Sequence, residues 1–165
     1  LKLDWNYNSN AIEGNQLNYG ETVAFIMHGI TAKGKTLKDH LDIKGHNEAI
    51  NYMLDFVKDE RDFTESDIRA LHKMILVEEY EVDAITSDGQ TTKKRIKLGI
   101  YKTSPNSVKT RTGEMHYYAT VEETPILMNE LMNWYNECKQ EKLIHPIVLA
   151  SLFHYQFVHQ SYHNN

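Results

Sequence analysis

The sequence predicts an all-α fold, a helical bundle that carries one small β-hairpin. Three observations predict it. Apolar residues recur three and four apart in most of the chain; across residues 37–58, Leu41, Ala49, Ile50, Met53, Leu54 and Val57 form one stripe. Helix starts are spelled out at Thr64-Glu65-Ser66-Asp67, at Pro125 and at Pro146. Residues 83–118 alone lose the helical rhythm, and they hold turn signals at Asp88-Gly89, Ser104-Pro105-Asn106 and Thr112-Gly113.

Taken in order, residues 9–17 are polar and read as a short helical turn. Ser9 caps it, Asn10 to Glu13 form it, and Gly14-Asn15 stops it. A helix follows over 19–30, with Val23, Ile26, Met27 and Ile30 on one face. Residues 31–36 are a loop around Gly34, and the long helix of 37–58 comes next. His46 lies near its apolar stripe and reads as a hydrogen-bonded core or boundary histidine. Thr64 and Asp67 open the next helix as a capping box, Phe63 staples against Ile68, and Ile68, Leu71 and Ile75 face inward.

In the irregular stretch, residues 97–101 and 107–111 pair as short strands, giving a flap at about 95–118. Irregular segments this long are usually functional or disordered in compact domains. A helix then starts with Pro125 at its first position and presents Ile126, Leu127, Leu131, Trp134 and Tyr135. The last helix opens at His145-Pro146. With Ile147, Ala150, Leu152, Phe153, Phe157 and Val158 it is apolar nearly all round, so it is expected to be the central, buried one.

The 165 residues, 41% hydrophobic and 25% charged, fit one soluble domain with a real core. Ten Tyr, five Phe and two Trp count against disorder, and a net charge of −5 counts against bulk nucleic-acid binding. The single cysteine, Cys138, forms no intrachain disulfide and fits a reducing cytoplasm. No apolar run reaches the ~20 residues that span a bilayer, so no membrane contact is expected. The first residue is Leu1 and no signal segment opens the chain, which reads as a fragment or processed form.

Nine histidines raise the question of a metal, but their spacing answers it. His154 and His159 are five apart, off one helical face, and His116, His145 and His163 lie in other segments. No metal ligand is assigned. Walker, dinucleotide-binding and serine-hydrolase signatures are likewise missing.

One stretch has a specific likeness. Asn8-Ser9-Asn10-Ala11-Ile12-Glu13-Gly14-Asn15-Gln16-Leu17 resembles the inhibitory motif of Fic proteins, Ser/Thr-x-x-x-Glu-Gly/Asn. His46-Asn47-Glu48-Ala49 is similar to the family's next helix, and Leu98-Gly99-Ile100-Tyr101-Lys102 to the approach to its flap. The run from His145 to Val158 resembles the helix before the catalytic loop. Family members continue with His-Pro-Phe-x-Asp/Glu-Gly-Asn-Gly-Arg. Here Ser161 stands in the histidine's place and Tyr162 in the proline's, so no catalytic residue is assigned.

The resemblance implies a Fic-like bundle, divided into an inhibitory segment with the first helix (1–36) and a truncated Fic core (37–165). It implies transfer of AMP from ATP, with Mg²⁺, to a protein hydroxyl. It makes Ser9, Glu13 and Gly14 the inhibitory residues, with Glu13 pairing the loop's arginine and displacing the γ-phosphate. Ser107, Val108, Lys109 and Thr110 in the flap would dock the target protein as an added strand. The protein is expected in the cytoplasm, a homo-oligomer is left open, and the chain as it stands is expected to be inactive. The alternative is a non-catalytic helical protein-binding module.

Overall fold

The computed structural model describes residues 1–59, 61–86, 89–142 and 144–159. It contains six helices and two two-stranded antiparallel sheets among the described residues, so the fold is mainly helical with small hairpins. The chain divides into two compact units, Leu1–Arg61 with Ile68–Gly99, and Asp62–Asp67 with Ile100–Asn165.

The first unit opens with α1 (Lys2–Ile12). It is a full helix where the sequence predicts a single turn, and Ser9 lies in its last turn rather than at its start. The sequence hides this helix because it buries no apolar side chain: its two buried residues are Asn6 and Asn10. Next comes α2 (Tyr19–His28), started by a capping box between Asn18 and Glu21. It ends two residues sooner than predicted because Gly29 takes the left-handed conformation, φ 69°. Of the expected inward face, Met27 and Ile30 are each 60% exposed, while Thr22 is fully buried.

The long helix α3 (Leu37–Lys58) has the predicted bounds, fixed by a Thr36–Asp39 capping box at its start. Ile43, Ala49 and Ile50 form its buried apolar face, with Leu54 and Val57 exposed beyond it. Gly45 is a point of close approach. A Cβ there would lie 2.3 Å from the Met74 carbonyl oxygen and 2.6 Å from Val77 Cγ2. Thus α4 (Glu65–Leu76) packs its C-terminal end directly on the α3 backbone. The capping box that opens α4 is as predicted, with Thr64 N–H donating to Asp67 Oδ2 at 2.8 Å.

The first hairpin, β1 (Tyr80–Ile85) with β2 (Thr91–Ile96), was not expected. Its register pairs Glu81 with Arg95 and Asp83 with Lys93, so one face is a row of acids beside a row of bases. The opposite face carries Tyr80, Val82, Ala84 and Ile96, together with Thr92 and Lys94. The strand predicted at 97–101 does not form. Gly99 sits at φ 66° and its N–H is spent on His72 Nδ1, 3.1 Å away.

In the second unit, β3 (Ser107–Lys109) pairs with β4 (Met115–Tyr117). The predicted strand at 107–111 is therefore present, shortened, with a different partner. Helix α5 (Glu123–Glu141) starts two residues before Pro125, because Thr120 and Glu123 exchange hydrogen bonds at 2.8 and 3.1 Å. Met128, Leu131 and Met132 are its buried residues.

The last helix, α6 (Pro146–His159), corrects the largest expectation. Among its described side chains Leu149 alone is buried; Ile147 is 71% exposed and Tyr155 58%. A helix is buried only where partners cover it, and here one side packs on α5. On that side Phe63, Tyr135 and Phe153 form an edge-to-face aromatic cluster, with ring centroids 5.1 to 6.2 Å apart.

Candidate functional site at the end of the first helix

The run Ile12-Glu13-Gly14-Asn15 is where α1 leaves off and the chain turns toward α3. Glu13 caps the helix with φ −82° and ψ 5°, and Gly14 turns the chain at φ 88°. A side-chain-bearing residue is strained there, so glycine is what allows the exit. Asn15 Nδ2 donates to the Asp39 carbonyl oxygen at 2.8 Å, and Gln16 N–H donates to Asp39 Oδ1 at 3.1 Å. The turn is thus clamped to the start of α3.

Asp39 is only 8% exposed. Burial alone would raise its pKa, but hydrogen bonds from Thr36 and from the Gln16 N–H outweigh burial and hold it below 3.8. Its carboxylate therefore serves two elements at once, capping α3 through Thr36 and tying down the residues that follow Glu13.

Beside this end of α1 opens a cleft of about 600 Å³. Ser9, Glu13, Asp42 and His46 contribute polar wall, and Ile12 and Ile75 contribute apolar wall. Lys38 Nζ lies 2.6 Å from Asp42 Oδ2, so that acid is already paired. The Glu13 carboxylate has no hydrogen bond or ion pair among the described residues. It sits at the negative end of the α1 dipole, which adds to its attraction for a cation. Burial pushes the His46 pKa below 6.5, which keeps the ring neutral near pH 7.

The expected site residues fall in two groups. Ser9 and Glu13 line the same cleft, with Gly14 making the turn beside them. Ser107, Val108 and Lys109 form β3, where all are exposed, Val108 at 47%. Thr110 follows, its N–H bonded to the Glu114 carbonyl oxygen at 2.8 Å. β3 pairs with β4 alone, so its other edge is open among the described residues. The departing tail, with Ser161 and Tyr162, lies outside the described residues.

Sequence reading passed over Asn6, Asn10, Asp39 and Asp42. Thr36-x-x-Asp39 was visible as a capping pattern, and so was Lys38-x-x-x-Asp42 as a helical ion pair. The two asparagines carry no signal that separates them from a solvated helix face.

Residues 62–160 match the Fic/DOC family. The chain belongs to it. Among curated relatives, the Protein adenylyltransferase Fic of Aedes aegypti is 29% identical over 154 residues, 93% of this chain and 27% of that protein. That of Nematostella vectensis is 26% identical, over 93% of this chain and 31% of its own length. A solved Fic domain containing signaling protein from Bacteroides thetaiotaomicron superposes with a TM-score of 0.80 at 39% identity, covering 99% of this chain and 57% of that one. Fic-1 of C. elegans, at 22% identity and a TM-score of 0.67, shows the same fold. The chain thus spans roughly a quarter to a third of the curated relatives it matches. The Fic/DOC match begins at Asp62, just before α4, so α1 and its Glu13 stand outside the matched segment, while the relatives align across 93% of the chain. No helix among the described residues is long and apolar enough to cross a membrane.

Proposed function

We propose that this chain is the regulatory and scaffold part of a Fic protein adenylyltransferase, which moves AMP from ATP to a hydroxyl side chain of a target protein, and that Glu13 restrains that transfer. The main support is the unpaired Glu13 carboxylate on the wall of a cleft whose other acid is already paired. A carboxylate so placed can receive a guanidinium in a bidentate, charge-assisted pair. An arginine held there is withdrawn from the γ-phosphate of the nucleotide. Gly14 sets the turn that leaves Glu13 at the helix end, and Ser9 shares its wall.

The residues present contain no His-Pro-Phe and no Gly-Asn-Gly-Arg. The 165-residue chain by itself is therefore proposed to be inactive in transfer. ATP is the substrate in this reading, and Mg²⁺ travels largely on its phosphates with one or two carboxylates in support. No group of three or more His, Cys, Asp or Glu is placed to hold a metal among the described residues. The target docks at the open edge of β3 as an added strand, with Ser107, Val108, Lys109 and Thr110 as its contacts. The cytoplasm is the proposed setting.

The test is Glu13→Gly in a full-length form that carries the catalytic loop. Automodification with labelled ATP should rise, and an unchanged signal removes the inhibitory role. AMP transfer by the 165-residue chain would refute its inactivity. A non-catalytic binding module is the rival, favoured by the open β3 edge; an intact His-Pro-Phe after Val158 in the uninterrupted gene would exclude it.

A further inference from the structure

One asparagine lies at the centre of the contact between α1 and α3. Asn6 is fully buried. Its Nδ2 donates to the Ile43 carbonyl oxygen of α3 at 3.0 Å. Its Oδ1 accepts from Asn10 Nδ2 at 2.8 Å and lies 3.3 Å from His46 Nδ1. An amide oxygen can only accept, so the His46 proton is on Nδ1 and the ring is held in one tautomer. Asn10 Nδ2 also reaches the Asn6 carbonyl oxygen at 2.9 Å, which joins the two buried positions of the helix.

These bonds form the buried centre of a contact whose rim is made by Trp5, edge-on to the His46 ring at 6.3 Å between centroids, by Tyr7 against Tyr19 at 5.4 Å, and by Tyr19 Oη donating to Asp4 Oδ1 at 3.0 Å. Asn6 and Asn10 are its buried residues. Of its large apolar side chains, Leu3 and Tyr7 are half-buried, while Trp5 is 50% and Ile12 83% exposed. An amphipathic helix is normally fixed by an apolar stripe, and sliding by one position turns every side chain through about 100°. Glu13 follows Asn6 by seven residues, two turns on and within about 20° of the same face. Whatever directs Asn6 toward α3 therefore directs Glu13 toward the cleft wall built by Asp42 and His46 of that helix.

We infer that Asn6 is a positioning residue, whose hydrogen bonds to Ile43 and His46 fix the rotation of α1 on α3 and so present Glu13 to the cleft. The inference rests on the Glu13 reading above and adds what holds that carboxylate in place.

The test uses the chain itself and the variants Asn6→Leu, near in size but without hydrogen bonds, and Asn6→Asp, which keeps the acceptor and loses the donor. In Asn6→Leu the amides of Glu13, Gly14 and Asn15, which close on Ser9, Ala11 and Asn10, should exchange at least tenfold faster. The Gly29 amide at the end of α2, bonded to Phe25, should keep its rate. Side-chain ¹⁵N spectra should show His46 released into a mixture of tautomers. In Asn6→Asp the new carboxylate should raise the His46 titration midpoint while the tautomer is kept. N-acetyl-arginine methylamide serves as the cation probe by NMR titration. Glu13→Gln should weaken its binding, and Asn6→Leu should weaken it at least threefold with Glu13 intact.

Faster exchange spread evenly over the molecule would make Asn6 an ordinary core residue and overturn the inference. So would probe binding that falls in Glu13→Gln and stays unchanged in Asn6→Leu, a result that leaves the Glu13 reading standing. If Glu13→Gln has no effect on the probe, the Glu13 reading fails, and Asn6 then positions nothing even where the local exchange arm succeeds. Should Asn6→Leu not fold, Asn6→Asp decides through His46: an unmoved midpoint overturns the contact.

Discussion

Helices α3 and α6 teach opposite lessons about burial. α3 is rich in charge, yet it buries Asp39, His40, Ile43, Gly45, Ala49 and Ile50. α6 is the more apolar by far, with one charge-free run from Pro146 to Val158, yet among its described side chains Leu149 alone is buried. α3 has α1, α2 and the end of α4 around it, while α6 packs on α5. Burial is a property of a helix's neighbours, and its own hydrophobicity only sets how much is gained when neighbours arrive.

This contrast gives an ordered set of expectations. The largest effect belongs to Ile43→Ala, which empties a site with 0% exposure and should cost about 3 kcal/mol in urea unfolding. A cost below about 1 kcal/mol would show that α3 is not the centre of its unit. Next is Gly45→Ala. Ala normally stabilises a helix interior by roughly 0.5–1 kcal/mol over Gly. Here the added Cβ meets backbone oxygens of Met74 and Ile75 at 2.3 and 2.8 Å, so the sign reverses to a loss of about 2 kcal/mol. A gain in stability would place α4 farther from α3. Thr64→Ala removes the cap of α4 and should lower the melting temperature by the equivalent of about 1 kcal/mol.

A gentler effect comes from pH. Burial holds both His46 and His72 below 6.5. Well above that value both are neutral in the native and the unfolded state alike. As pH falls below 6.5 the unfolded chain takes up protons that the native chain refuses, so stability declines until the native pKa values are reached. Asp39, held below 3.8, adds a second loss as pH falls through its native value. Urea midpoints measured from pH 7.5 down to 5 should fall, and fall less when His46 and His72 are both replaced by Gln; a flat profile would contradict the burial of both rings. The smallest effect is expected on α6. Ile147→Ala, at a position 71% exposed, should change stability by no more than about 0.5 kcal/mol. A cost rivalling that of Ile43→Ala would erase the contrast between the two helices.

Part of the local geometry around Glu13 was legible before the fold. The likeness to the Fic inhibitory motif picked out Ser9, Glu13 and Gly14, and the turn at Gly14 was expected where it occurs. What was not legible is the frame that holds them. Asn6 and Asn10 look like any polar helix face, and only a partner helix turns them into a buried hydrogen-bonded pair. The hairpins were misplaced for a related reason. The 80–85 strand is rich in acids and the 91–96 strand in bases, and each suits a sheet only once paired against the other.

By itself the sequence determined the features closed by bonds between near neighbours: the span of α3, the capping box of α4 and the glycine turn after Glu13. The tertiary structure alone decided which polar groups are buried, which apolar helix stays open, and which strands meet. Caps and turns gain their hydrogen bonds within about four residues, so they can be read locally. Burial and strand pairing gain theirs from segments far away in the chain, whose arrival no local pattern records.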